Sequence, residues 1–150
     1  MKLIQSLAVA ATVIGISVNA LAYCPGVSRT GDSEPMSDAQ IEEVLRAASF
    51  PEETIPTMVC IAAAESTRFP TASCTNASDS AIIAYGLFQI YDLWFKQCTN
   101  TDSRDYQIAL LSDPGVNAKC AWRAFRSARS STGDGYTAWN VYNDGQCHGL

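Results

Sequence analysis

The chain has 150 residues, 47% of them apolar, with 15 acidic against 10 basic residues and a formal net charge of −5. That length suits one domain with a core of its own. The acidic balance argues against nucleic-acid binding and against a cationic, membrane-attacking protein.

The first segment reads as a secretory leader. Met1–Lys2 gives a positive start, Leu7 to Val18 is apolar apart from Thr12 and Ser17, and Ala20-Leu21-Ala22 is a small-x-small cleavage site. The apolar run is too short and wrongly flanked for a membrane span, so no membrane insertion is expected. A lipoprotein anchor at Cys24 is rejected because Tyr23 stands where a small residue is needed. Cleavage after Ala22 leaves residues 23–150 as the mature domain, exported to the extracellular space or, in a bacterium, to the periplasm.

Six cysteines survive cleavage: Cys24, Cys60, Cys74, Cys98, Cys120 and Cys147. An even count in an exported chain argues for three disulfides, whose connectivity the sequence alone does not fix. There is no CxxC pair and the sole histidine is His148, so no metal site is expected. Nothing implies an organic cofactor.

Residues 23–36 carry Pro, Gly, Ser and Thr and read as an extended arm. Ser37 and Gln40 form a capping-box pattern, and Ile41, Val44, Leu45 and Ala48 give one apolar helical stripe that Pro51 ends. Pro56 suits the first turn of a second helix running to about Ser66. From Phe69 to Ile83 the helical pattern gives way to loops, with room for a short hairpin. Asn76-Ala77-Ser78 there is a glycosylation sequon, meaningful only in a eukaryote. After Gly86 and the apolar "LFQI", short helices are expected over Asp92–Gln97 and Asp105–Leu111. "DPGVNAKCAWRAFRSARSS" is a longer helix, with Asp113 as cap and Pro114 in the first turn. Val116, Cys120, Ala121, Ala124 and Ala128 would line one face. Lys119, Arg123, Arg126 and Arg129 fall on the same helix, either as a solvated face or as a site for an anionic ligand. "TGDG" breaks the chain before a last short helix in "YTAWNVYNDG". The class is mainly α, of the α+β type, with a small β element.

One stretch raises a chemical question. Met58 to Ala64 is apolar without interruption, and Glu65 follows. A helix apolar all round is normally buried, so Glu65 would leave a buried helix at its C-terminal end. Desolvation and the negative end of the helix dipole both disfavour its charged form and raise its pKa. A carboxyl still protonated near neutral pH can give its proton to a leaving group. Alternatively, the helix simply reaches solvent there and Arg68, three residues on, pairs with the carboxylate and lowers its pKa. From this stretch alone both readings stand.

"ESTRFP", followed after a polar loop by "AYGLFQI", resembles the lysozyme superfamily, and within it the lytic transglycosylases: a Glu-Ser, an aromatic and a proline, then Ala-x-Gly-Leu-x-Gln-Ile. "DPGVNA" resembles that family's Asp-Pro-x-x-Asn helix start, and "YNDG" its late Tyr-Asn-x-Gly element. Other features resemble animal-type lysozymes: Cys60 five residues before the glutamate, "LWFKQC" after the Gln-Ile, and "GDGYTAW" near the end. The resemblance spans about Thr54 to Cys147.

It implies a lysozyme-like fold, with the β and loop element beside an active-site cleft. Glu65 would be the catalytic acid, with Trp139 packed near it. Ser66, Gln89, Tyr142 and Asn143 would hold sugar groups or the glutamate itself. Trp94 and Phe95 would be stacking platforms, with ordinary core packing as the alternative for each aromatic. Implied disulfides are Cys60–Cys147 and Cys98–Cys120, with Cys24–Cys74 as the pair these leave. The partner would be peptidoglycan or a related β-1,4-linked amino-sugar polymer, and the protein is expected to act as a monomer.

The chain departs from animal lysozymes at one position. Their second carboxylate stands immediately before the Tyr-Gly pair, and here that residue is Ala84. Retaining glycosidases, lysozyme among them, place their two carboxyl groups roughly 5–5.5 Å apart. Without the second, the resemblance favours transglycosylase chemistry, in which the substrate's own 6-hydroxyl closes a 1,6-anhydro ring. Two alternatives stay open: a hydrolase using Asp79 or water alone, and a non-catalytic glycan- or partner-binding protein. Asp79 itself reads more readily as a turn residue beside Ser78 and Ser80.

Overall fold

A computed structural model describes the backbone of residues 28–29 and all of residues 33–75 and 80–150. The expected leader, Cys24, the sequon and Asp79 lie outside the described residues. The architecture is mostly helical around a small antiparallel sheet.

Helix α1, Asp38–Ala47, opens on the expected capping box: Ser37 Oγ accepts from Gln40 N–H, and the Gln40 side chain accepts from Ser37 N–H. A 3-10 turn over Glu52–Thr54 leads into α2, Ile55–Ser66, with Pro56 in its first turn. α1 packs on α2 through Ile41 and Leu45, both inaccessible to solvent. α2 is not buried all round as its composition suggests: Ile55, Met58, Ile61 and Ala62 face the core, whereas Ala64 is exposed. A methyl group is small enough to stand in water at little cost, so apolar composition overstates burial in an alanine-rich helix.

Four short strands form one antiparallel sheet in chain order: β1, Ser28–Arg29; β2, Ala72–Thr75; β3, Ile82–Tyr85; and β4, Ile90–Tyr91. Ala84 lies opposite Tyr91 and Tyr85 opposite Ile90. The chain then runs through α3, Asp92–Thr99, and α4, Arg104–Leu111. Helix α5, Pro114–Thr132, is capped by Asp113, whose carboxylate accepts from Val116 N–H at 2.9 Å. A 3-10 segment over Gly135–Ala138 and the short α6, Asn140–Asn143, close the fold.

Phe88, Phe95, Leu111, Ala121 and Phe125 join the α1 and α2 residues in a single core. Disulfides link Cys60 to Cys147 and Cys98 to Cys120. Cys74 is also disulfide-bonded, and its expected partner, Cys24, lies outside the described residues. Among the described residues no helix is long and apolar enough to cross a membrane, and no cluster of His, Cys, Asp or Glu could hold a metal ion.

Candidate active site

Glu65 stands in the last turn of α2. The helix stops immediately after Ser66 because Thr67 (φ 50°) and Arg68 (φ 67°) turn left-handed. That turn carries Arg68 away from Glu65 and onto α1, where its Nε donates to Asp38 Oδ1 at 2.8 Å. The ion pair that would have held Glu65 in its charged form is therefore made with a different carboxylate. Burial pushes the Glu65 pKa up from its ordinary 4.5 to about 7, against the opposing pull of a hydrogen bond from Val141 N–H. Val141 lies in the first turn of α6, where backbone N–H groups have no partner within their own helix. The carboxyl is thus desolvated, held by one backbone donor and half-protonated near neutrality.

A cleft of about 380 Å³ runs between β4, the start of α3, the outer turns of α5 and the segment entering α6. Its walls are mostly apolar: Ile90, Leu93, Trp94, Ala124, Ala128 and Trp139. Trp139 is 5% exposed, and its Nε1 donates to Phe88 O at 3.0 Å, which fixes the indole plane. Gln89 adopts φ 45° and donates through Nε2 to Ala72 O and Gly86 O. Its Oε1 is buried on the cleft wall and has no partner. Tyr91 lines the same cleft, and burial, with the charges of Glu65 and Asp92 adding to it, raises its pKa. Among the described residues, the cleft lining contains no carboxylate.

Asn117 positions this wall. It is wholly buried, and its Nδ2 donates to Tyr85 O and Leu111 O, each at 3.1 Å, while its Oδ1 accepts from Phe88 N–H at 2.9 Å. One amide therefore holds both sides of the turn at residues 86–89 that delivers Gln89 and Tyr91. "DPGVNA" and "AYGLFQI" are two halves of one clamp.

The residues expected at the site divide. Gln89, Trp94 and Trp139 come together on the cleft; Glu65 is not among its lining residues, and its charge is felt there at Tyr91. Two expectations are corrected by burial. Ser66 is fully buried and its Oγ donates to Ala62 O within its own helix, so it reaches no sugar. Phe95 is also fully buried, with the Arg104 guanidinium over its ring, so it packs the core and is no stacking platform. Tyr142 packs at a tilt against Tyr136 and His148, and Asn143 donates to Thr137 O; neither lines the described cleft. Ala124 and Ala128, expected on one apolar face of α5, form part of the cleft wall. Lys119, Arg123, Arg126 and Arg129 are all solvent-exposed. Sequence reading missed Tyr91, the backbone donor at Val141 and the Asn117 clamp.

A family model described as "Lysozyme like domain" matches residues 42–141. Among solved structures, a lysozyme from Litopenaeus vannamei is similar, with 25% identity and a TM-score of 0.59, over 79% of this chain and 91% of that one. No curated protein matches the chain.

Proposed function

The chain belongs to the family of lysozyme-like domains, and from that premise we propose that it is a secreted glycosidase. It cleaves the β-1,4 bond between N-acetylmuramic acid and N-acetylglucosamine in peptidoglycan, with Glu65 as its acid and base. The observation that carries this reading is the Glu65 carboxyl, raised to about 7 by burial, whose charge is felt by Tyr91 on the cleft wall. Membership in a lysozyme-like family points to glycan cleavage in general. The bond, the residue and the outcome are our assignment.

The steps follow from the groups present. Protonated Glu65 donates its proton to the glycosidic oxygen as the bond from that oxygen to C1 breaks. The N-acetyl group shields the developing positive charge at C1. The carboxylate left behind then takes the proton of the same sugar's 6-hydroxyl while O6 bonds to C1, giving a 1,6-anhydro end and regenerating protonated Glu65. Ala84 in place of a second carboxylate supports this transglycosylase outcome over a covalent glycosyl-enzyme, for which a nucleophile would be needed.

Glu65→Gln is expected to keep the fold and lose at least ~10²-fold of wall-clearing activity, the range for a general acid. A cell-wall turbidity assay reads this, and equal clearance by both proteins would remove Glu65 from the chemistry. Mass analysis of the fragments reads the outcome, because anhydro ends weigh one water less than reducing ends.

A further inference from the structure

We propose that the Cys98–Cys120 disulfide and Arg123 form a positioning clamp that fixes the α3 wall of the cleft against its α5 wall, and so sets how tightly the cleft grips a glycan. The choice of a glycan as occupant rests on the reading above; the clamp rests on the helices.

Helical periodicity aligns the bond with both walls. Cys98 stands one turn beyond Trp94 on α3, and Cys120 one turn before Ala124 on α5. Residues one turn apart share a helix face, so each cysteine lies in the same stripe as a residue lining the cleft. Ala128 continues the α5 stripe by a further turn. The bond joins these two stripes and holds their backbones 5.4 Å apart, Cα to Cα.

α3 needs such an anchor. It has eight residues, too few to persist as a helix unaided. Leu93 lines the cleft but is 82% exposed and adds little packing, and Phe95 is the one buried residue on the helix. A single buried ring leaves a short helix free to pivot about it. Lys96 pairs with Asp102, but both are exposed, and such a pair contributes little. The last turn is held from α5 instead. Arg123 donates to Gln97 O, one of the terminal carbonyls without a partner inside α3, and brings positive charge to the negative end of that helix. One covalent link and one charged link therefore fasten the same turn of α3 to the same stretch of α5.

Glu65 is held by other parts: α2, the Val141 N–H of α6, and the Cys60–Cys147 bond between the two segments. It is not among the cleft's lining residues. Loosening the clamp therefore moves the binding walls and leaves the acid in place, which separates binding from chemistry.

The test is Cys98→Ala with Cys120→Ala in the full chain, with Kd measured for the N-acetylglucosamine trimer and KM and kcat for solubilised peptidoglycan. Kd and KM are expected to rise roughly 10-fold, while kcat stays within about twofold and the midpoint of the pH–rate profile holds. Leu45→Ala, a cavity in α1 away from the cleft, lowers the melting temperature as well and is expected to leave Kd unchanged, which separates a clamp from general stabilisation. Arg123→Ala changes an exposed position without unfolding the chain and is expected to raise Kd roughly 2–3-fold. That variant decides the matter should the double variant fail to fold. Wild-type affinity in the double variant or in Arg123→Ala, or an equal loss in Leu45→Ala, would overturn the clamp. A wild type that binds the trimer and cuts no wall would overturn the glycosidase reading and leave the clamp standing. A wild type that neither binds nor cuts would overturn both.

Discussion

At position 65 two features of the structure decide what a carboxyl can do. Arg68 is engaged with Asp38, and the glutamate is desolvated with one backbone donor from Val141. The charged form is therefore disfavoured, and this has a stability consequence. Between pH 4.5 and about 7 the unfolded chain ionises this group while the fold keeps it protonated. The unfolded state then binds fewer protons, so stability falls as pH rises through that window. Glu65→Gln removes the cost. Urea denaturation is expected to find the variant more stable at alkaline pH, by on the order of 2 kcal/mol after allowing for partial solvent screening. Below pH 4.5 the two proteins should converge. Equal stability across the range would mean that the carboxyl is not strained in the fold. The glutamate was legible as a residue leaving an apolar run. Its raised pKa was one of two readings open from that stretch, and the choice between them was not legible because Asp38, which takes up Arg68, is distant in sequence.

At the scale of elements, the turn between β3 and β4 depends on a residue from α5. Asn117 closes three hydrogen bonds to backbone groups of Tyr85, Phe88 and Leu111. Asn117→Ala leaves those groups buried without partners and is expected to cost roughly 3 kcal/mol or more. Thermal melting checks this, and activity should fall with stability because the same turn carries Gln89 and Tyr91. Gly86→Ala attacks the clamp from the other side. Gly86 sits at φ +82°, and an added Cβ would fall 2.0 Å from Asn117 Nδ2. Both left-handed strain and steric clash oppose the substitution, so loss of the folded state at moderate temperature is expected, read by circular dichroism. The helices were legible because capping residues, prolines and apolar stripes are local signals: Ser37 with Gln40, Pro56, and Asp113 with Pro114 all act as their positions suggest. β4 was not legible. Two residues, Ile90–Tyr91, carry no periodicity, and only pairing with Ala84 and Tyr85 makes them a strand. Tyr91 was overlooked for that reason.

Across the whole molecule, one disulfide joins the parts that meet at Glu65. Cys60 lies on α2, which carries the glutamate, and Cys147 follows α6, which carries its backbone donor. The two cysteines are 87 residues apart, so the bond restricts most of the unfolded chain. Replacing both with alanine is expected to cost about 2–5 kcal/mol. It should also shift the Glu65 pKa, since the Val141 contact would loosen; calorimetry and a pH–rate profile read the two effects. Fold class was legible from local helix patterns and from motifs falling in order along the chain. Burial of individual motif residues was not, as Ser66 and Phe95 show: a motif records that a residue is needed, while packing decides whether it faces substrate or core. The assignment as a whole converges on the protonation of one side chain. A carbon-13 NMR titration of the Glu65 carboxyl group in the folded protein measures it directly. The account predicts a midpoint at about 7, and a midpoint at the ordinary 4.5 would contradict it.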